Sequence, residues 1–156
     1  MITLDEAHSM NRLALTHLRN SSRSHFHPAP IAAPSKHSDP YERAGSHPDI
    51  VERVWDQLGR ALPVDGRALV YGTPALVHPS AGVLLALAYG TQYAIRVPEA
   101  SLATAVRRGC KTEQTWSNGA RTAIADALGA GWVFGAWLDT ELDWLASAYK
   151  GLEADG

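Results

Sequence analysis

Seven histidines and a single cysteine are the residues of this chain best suited to chemistry near neutral pH. His25 and His27 stand two apart, so on extended backbone both imidazoles face one side, as a metal ion requires; His37 and His47 follow. Their spacing matches no zinc motif and their host segment is rich in Ser and Pro, which fits a solvated strap better; no metal or other cofactor is expected. His78 precedes Pro79 at the end of an apolar run, where Asp65 or Glu99 would complete an acid/base pair if the fold brought them together. The competing reading is a histidine merely exposed beside a turn. Cys110 follows Gly109 among Arg107, Arg108 and Lys111, cations that favour a thiolate. A nucleophile also needs a positioned histidine, and a small residue packed under a helix is the plainer reading. The chain has no G-x-S-x-G elbow, and Gly129-Ala130-Gly131 lacks the P-loop lysine and the dinucleotide-binding spacing. Asp139, Glu141 and Asp143 suit the first turn of a helix better than a metal. No catalytic residue is assigned, and an enzyme is the less favoured reading.

The aromatic residues carry more weight. Trp116, Trp132, Phe134, Trp137 and Trp144 lie close together in sequence, and Tyr71, Tyr89 and Tyr93 flank the turns of an apolar region. Most must be core, because a small domain cannot leave such large rings outside. The rest can line a pocket at the hairpin ends, bordered by Tyr71, His78, Tyr89 and Arg96, with Thr91, Gln92 and Arg96 as polar points that orient a ligand. The same residue types also make protein-contact patches.

The element that must position these side chains is the stretch from Ala68 to Pro98, nearly free of charge and broken at Gly72-Thr73-Pro74, Pro79 to Gly82 and Gly90-Thr91. It predicts antiparallel strands over 67–71, 75–78, 83–88 and 92–97, with a tight hairpin at Gly90-Thr91. Val83, Leu85 and Leu87 alternate with Leu84, Ala86 and Ala88, both sets apolar, so this strand is expected to be central and covered on both faces. Tyr93, Ile95 and Val97 share one face of the next strand.

Around the sheet, residues 3–20 read as an amphipathic helix with a capping box from Thr3 to Glu6 and a stripe of Leu4, Ala7, Asn11, Leu15 and Leu18. Residues 21–45 form a Pro-, Ser- and His-rich strap, either mobile or anchored by Phe26, Ile31 and Tyr41. A domain over 46–153 then opens with a helix from His47 to Leu62, whose face is Ile50, Val51, Val54, Trp55, Leu58 and Leu62. Beyond the sheet come a short helix over 100–108 closed by Gly109, a strand over 111–116 and a hairpin turn at Ser117-Asn118-Gly119. Residues 121–125 return as its partner strand, or 120–128 form a helix. The glycine-aromatic segment 129–137 and a final amphipathic helix through Leu142, Leu145, Tyr149 and Leu152 complete the chain. The fold class is therefore α+β: an antiparallel sheet of four to six strands packed by two or three helices, with the first helix and its strap as an extension.

A hydrophobic content of 46% with 19% charged residues over 156 residues is that of a globular domain able to bury a real core. One cysteine gives no intrachain disulfide, and no apolar run reaches membrane-spanning length, so a cytoplasmic protein without membrane contact is expected. The middle is mildly basic through Arg67, Arg96, Arg107, Arg108, Lys111 and Arg121 and the tail acidic, a footprint too sparse for nucleic acid, although weak binding is an alternative to test.

From His47 to Leu152 the order of elements carries three short matches: Gly82 to Leu87 as a "G-x-x-x-A-L" hairpin, Ile95-Arg96-Val97 before Pro98, and Gly131-Trp132-Val133 before the last helix. In these the chain resembles the TfoX N-terminal and YjbR-like small α+β domains. It departs where they open on methionine-phenylalanine-glycine, with Val70-Tyr71-Gly72 there instead. The resemblance implies a regulator or binding module without a catalytic centre. The expected function is thus recognition of a partner protein or of a second copy, with residues 3–20 exchanged across a homodimer. The alternative is a small-molecule-binding protein or enzyme using the hairpin-end pocket.

Overall fold

A computed structural model describes residues 4–20, 24, 28–33, 52–58, 66–78, 81–89, 92–97, 102–107, 109–115, 118–129 and 131–135. The glycine-punctuated middle folds back on itself as expected. Strands β1 (Arg67–Val70), β2 (Thr73–Val77), β3 (Leu84–Tyr89) and β4 (Gln92–Arg96) run antiparallel in chain order. A seventh strand, β7 (Trp132–Phe134), completes a five-stranded sheet in the order β1-β2-β3-β4-β7. Strands β5 (Glu113–Thr115) and β6 (Arg121–Ala123) form a separate two-stranded ribbon. The fold is α+β.

Both faces of the sheet are buried. On one, Leu69, Leu76, Tyr93, Ile95 and Val133 pack with Val54 and Trp55 of a π-helical segment, Arg53–Leu58, and with Ala105 of helix α2 (Leu102–Arg107). On the other, Val70, Ala75, Val77, Leu87 and Phe134 pack under Ala14, Leu15 and Leu18 of helix α1 (Arg12–Arg19) and Ile124 of the short helix α3 (Ile124–Ala127). Two apolar faces demand two covers, and α1 supplies part of one, its Ala14, Leu15 and Leu18 buried in the core.

The strict alternation expected for 83–88 fails at one point. Leu76 pairs with Ala86 but Val77 with Leu84, so Leu85 is an extra residue in a β-bulge. The bulge puts Leu85 and Ala86 on the same face, with Leu84 and Leu87 on the other. In β4, where no bulge intervenes, Tyr93, Ile95 and Val97 do share a face.

The first helix is shorter than its apolar stripe suggests, starting at Arg12 rather than near Thr3, a residue outside the described ones. Local side-chain bonds hold residues 5–10 in turns: Asp5 Oδ1 accepts from Ala7 N at 3.1 Å and His8 Nδ1 from Met10 N at 3.1 Å. Such bonds compete with helical ones, which is why Asp and His so close together override the periodicity. Residues 120–128 divide between the two readings, a strand to Ala123 and then a helical turn.

The sheet has no bare edge over these residues. Ala32 of the strap forms a bridge with Leu69 through paired bonds of 2.8 and 2.9 Å, and Tyr71 N donates to Ala29 O. Ile31 packs against the α1-side core, as its role of anchor required; Phe26 and Tyr41 lie outside the described residues. At the far edge Lys111 bridges Phe134. Single bridges by irregular segments close both edges to further strand pairing. The helix expected over 47–62 is seen only as Arg53–Leu58, and the final helix, with Trp116, Trp137 and Trp144, lies outside the described residues. No helix among those described is long and apolar enough to cross a membrane.

Candidate functional site

Strand direction separates the residues expected to border one pocket. In β1 and β3 the chain runs toward the end where Tyr71-Gly72 joins β1 to β2 and where Tyr89 pairs with Gln92. In β2 and β4 it runs back, delivering His78 and Arg96 to the opposite end. With strands five and six residues long at roughly 3.3 Å per residue, the two groups are a full strand length apart. The topology puts Tyr71, Tyr89 and Gln92 at one end of the sheet and His78 and Arg96 at the other. Thr91, His25 and His27 lie outside the described residues.

At the tyrosine end, the β1–β2 hairpin closes in two residues, with φ of +48° at Tyr71 and +79° at Gly72. Positive φ at both central positions is what a type I′ turn needs to match the twist of its strands. Glycine takes it freely, whereas a tyrosine there costs about 1–2 kcal/mol. Burial of the ring in the α1-side core offsets that cost.

The opposite end is built from polar atoms under the start of α1. Asn11, fully buried, donates through Nδ2 to Asp5 O at 2.8 Å and Gly82 O at 2.9 Å, and accepts at Oδ1 from Leu84 N at 2.9 Å. One side chain thereby ties the N-terminal turn to the β2–β3 connection. His78, 1% exposed, accepts at Nδ1 from Ala81 N at 3.2 Å, while its backbone bonds Val83 O and Gly82 N. An imidazole accepting at Nδ1 carries its proton on Nε2, and that first nitrogen is engaged in closing the turn.

Beside them lie Arg96, 3% exposed, and Trp132, 2% exposed, which are direct cross-strand partners between β4 and β7. The bonds from Val97 N to Gly131 O and from Gly135 N to Tyr93 O put the hydrogen-bonded pairs at the odd positions of β4. Arg96 and Trp132 are therefore a non-hydrogen-bonded pair, the closer kind, with both side chains on the α1 face. Arg96 Nη2 donates to Met10 Sδ at 2.8 Å. Trp132 Nε1 is buried and has no hydrogen-bond partner among the described residues.

Cys110 sits on the other face. Gly109, at φ +100°, donates to Val106 O and Cys110 N donates to Ala105 O, the paired bonds of a Schellman motif ending α2. The Cys110 side chain packs with Ala105 in the core, so the cysteine is the small residue under the helix. Among the described residues no group of three or more His, Cys, Asp or Glu is placed to hold a metal ion.

Sequence reasoning missed Asn11 and Trp132 as site residues, reading one as part of a helical stripe and the other as packing. The signal for Asn11 was available: an amide on an otherwise apolar stripe must find partners once buried. Comparison with protein-family models, with curated proteins and with solved structures found no match to this chain.

Proposed function

We propose that this protein is a non-catalytic recognition domain that acts through protein contact, with a second copy of the chain as its first partner. The observation that carries this reading is where the reactive side chains went. Asn11, His78 and Cys110 are all buried and bound into turn closure or core packing, positions that serve to hold backbone. Large apolar side chains remain outside instead: Met10, in the turn before α1, and Leu13, in its first turn, are each 44% exposed. Methionine is among the types enriched at protein interfaces. Because Ala32 and Lys111 occupy the sheet edges, a partner meets helix surface rather than adding a strand. The resemblance to TfoX N-terminal and YjbR-like domains points the same way.

Docking of α1 on the sheet of its own chain changes the form of the dimer. With Ala14, Leu15 and Leu18 buried in the same core, contact across the outer surface of α1 replaces exchange of the whole helix as the simpler arrangement. Light scattering coupled to size-exclusion chromatography, run over a range of concentrations on wild type and Leu13→Glu, tests it. A dimer mass for wild type and a monomer mass for Leu13→Glu are expected. A monomer mass for wild type throughout would overturn self-association.

A further inference from the structure

We propose that Asn118 is a self-modification site: the backbone nitrogen of Gly119 attacks its side-chain amide, expels ammonia and leaves an aspartate or isoaspartate at the tip of the β5–β6 ribbon. The chain has three asparagines, and the fold treats them differently. Asn11 is fully buried, its amide bonded at both ends to backbone. Asn20 stands at the end of α1 and precedes Ser21, a residue whose Cβ crowds its own amide nitrogen. Asn118 is exposed together with Gly119 and Ala120, in a loop where Thr115 and Arg121 are the last paired residues on either side.

The geometry of the tip favours the attack. Asn118 Oδ1 accepts from Ala120 N at 2.9 Å, closing a hydrogen-bonded ring that contains every atom of the succinimide to be formed. The same bond draws electron density from the amide carbonyl, as a donor aimed at a developing oxyanion does. The Gly119 N–H donates to no acceptor among the described residues, so pairing in the ribbon does not hold the attacking nitrogen. Gly119 has no Cβ to crowd that nitrogen, and one built there would meet nothing within 4 Å, so neighbouring segments leave room for the ring. In the reaction the Gly119 nitrogen gives its proton to hydroxide and bonds to Cγ; the Cγ–Nδ2 bond breaks, and the leaving nitrogen takes a proton from water and departs as ammonia. Water then opens the succinimide. Cleavage between Cγ and nitrogen gives aspartate, whereas cleavage at the backbone carbonyl gives isoaspartate, whose main chain runs through the former side chain. Either product puts a carboxylate into the turn that ends at Arg121, and isoaspartate also lengthens that turn by one carbon. The site lies on the ribbon and not on α1, so it stands whether or not the chain dimerises.

The test incubates the full chain at mildly alkaline pH, cleaves it with trypsin after Lys111 and Arg121, and follows the peptide 112–121 by mass spectrometry, with fragment ions separating aspartate from isoaspartate. Wild type, Gly119→Ala and Asn118→Gln are compared, with the synthetic peptide 112–121 alongside. In wild type, ammonia release and conversion of Asn118 to both products are expected, while Asn11 stays intact. Gly119→Ala adds a Cβ beside the nitrogen, and Asn118→Gln must close a larger ring; both should be mostly unconverted when half of the wild type has reacted. Because Gly119 sits at φ +86°, alanine there is strained, and Asn118→Gln, which leaves the backbone unchanged, carries the test if that variant unfolds. Wild type that keeps Asn118 as long as it keeps Asn11 overturns the site. Conversion of Asn118→Gln at the wild-type rate, or of folded Gly119→Ala at that rate, overturns attack by the Gly119 nitrogen. Conversion much slower in the folded chain than in the synthetic peptide overturns the claim that this turn favours the reaction.

Discussion

Replacing Asn11 by alanine removes one amide and disconnects three backbone groups. Gly82 O retains the bond from Asp5 N, and Asp5 O retains the one from His8 N, so each of these acceptors keeps a partner. Leu84 N, which donates to Asn11 Oδ1, is left as a buried orphan, costing about 1–3 kcal/mol, and the two lost donor bonds add about 0.5–1.5 kcal/mol each. The sum centres near 4 kcal/mol, a fall in melting temperature of about 8–16 °C for a chain of this length. Urea denaturation followed by tryptophan fluorescence measures the first quantity. Hydrogen exchange at the Leu84 amide measures the local one, and its protection should fall more than that of amides in β4. A loss below about 1 kcal/mol, or a Leu84 amide as protected as before, would refute the claim that this side chain holds the N-terminal turn to the sheet.

Three further outcomes are expected. Gly135→Ala would set a Cβ inside the ring of Tyr93, whose backbone is fixed by the bond from Gly135 N to Tyr93 O; a loss of about 3 kcal/mol or more is expected by denaturation, partly recovered in the double variant with Tyr93→Leu. Trp55→Phe keeps a ring but deletes the 2.9 Å bond from Nε1 to Ala75 O, and should cost about 1–3 kcal/mol in the same assay. Burial lowers the pKa of His17 below its ordinary 6.5, so the unfolded chain takes up the proton first. Its contribution is therefore present above that value and lost as pH falls through the folded-state pKa, and His17→Gln should flatten the pH dependence of stability as pH falls below 6.5.

Much of this architecture was legible because it follows from local rules. Glycine and proline punctuation placed four strands to within two residues at each end, since few other residue types turn a chain so tightly. Gly109 announced the end of α2, and the apolar character of both alternating sets in β3 announced two covered faces. What escaped were features that depend on a partner distant in sequence. The bulge at Leu85 exists only relative to β2, and the edge-closing roles of Ala32 and Lys111 exist only relative to β1 and β7. The residues named for the candidate pocket are divided between two ends of the sheet for the same reason. Tyr71 and His78 are near in sequence, but a strand lies between them, and antiparallel pairing sends the ends of successive strands to opposite sides.

By itself, then, the order of residues determined which segments are strands, that the sheet needs a cover on each face, and where α2 stops, because backbone sterics and hydrophobic burial act over a few neighbouring residues. Tertiary structure alone decided that α1 is core, that Asn11 spans from the first turn to β3, and that Arg96 meets Met10 and pairs across the sheet with Trp132. Those contacts join positions up to 86 residues apart between Met10 and Arg96, and only packing the sheet against its helices brings such donors and acceptors within reach.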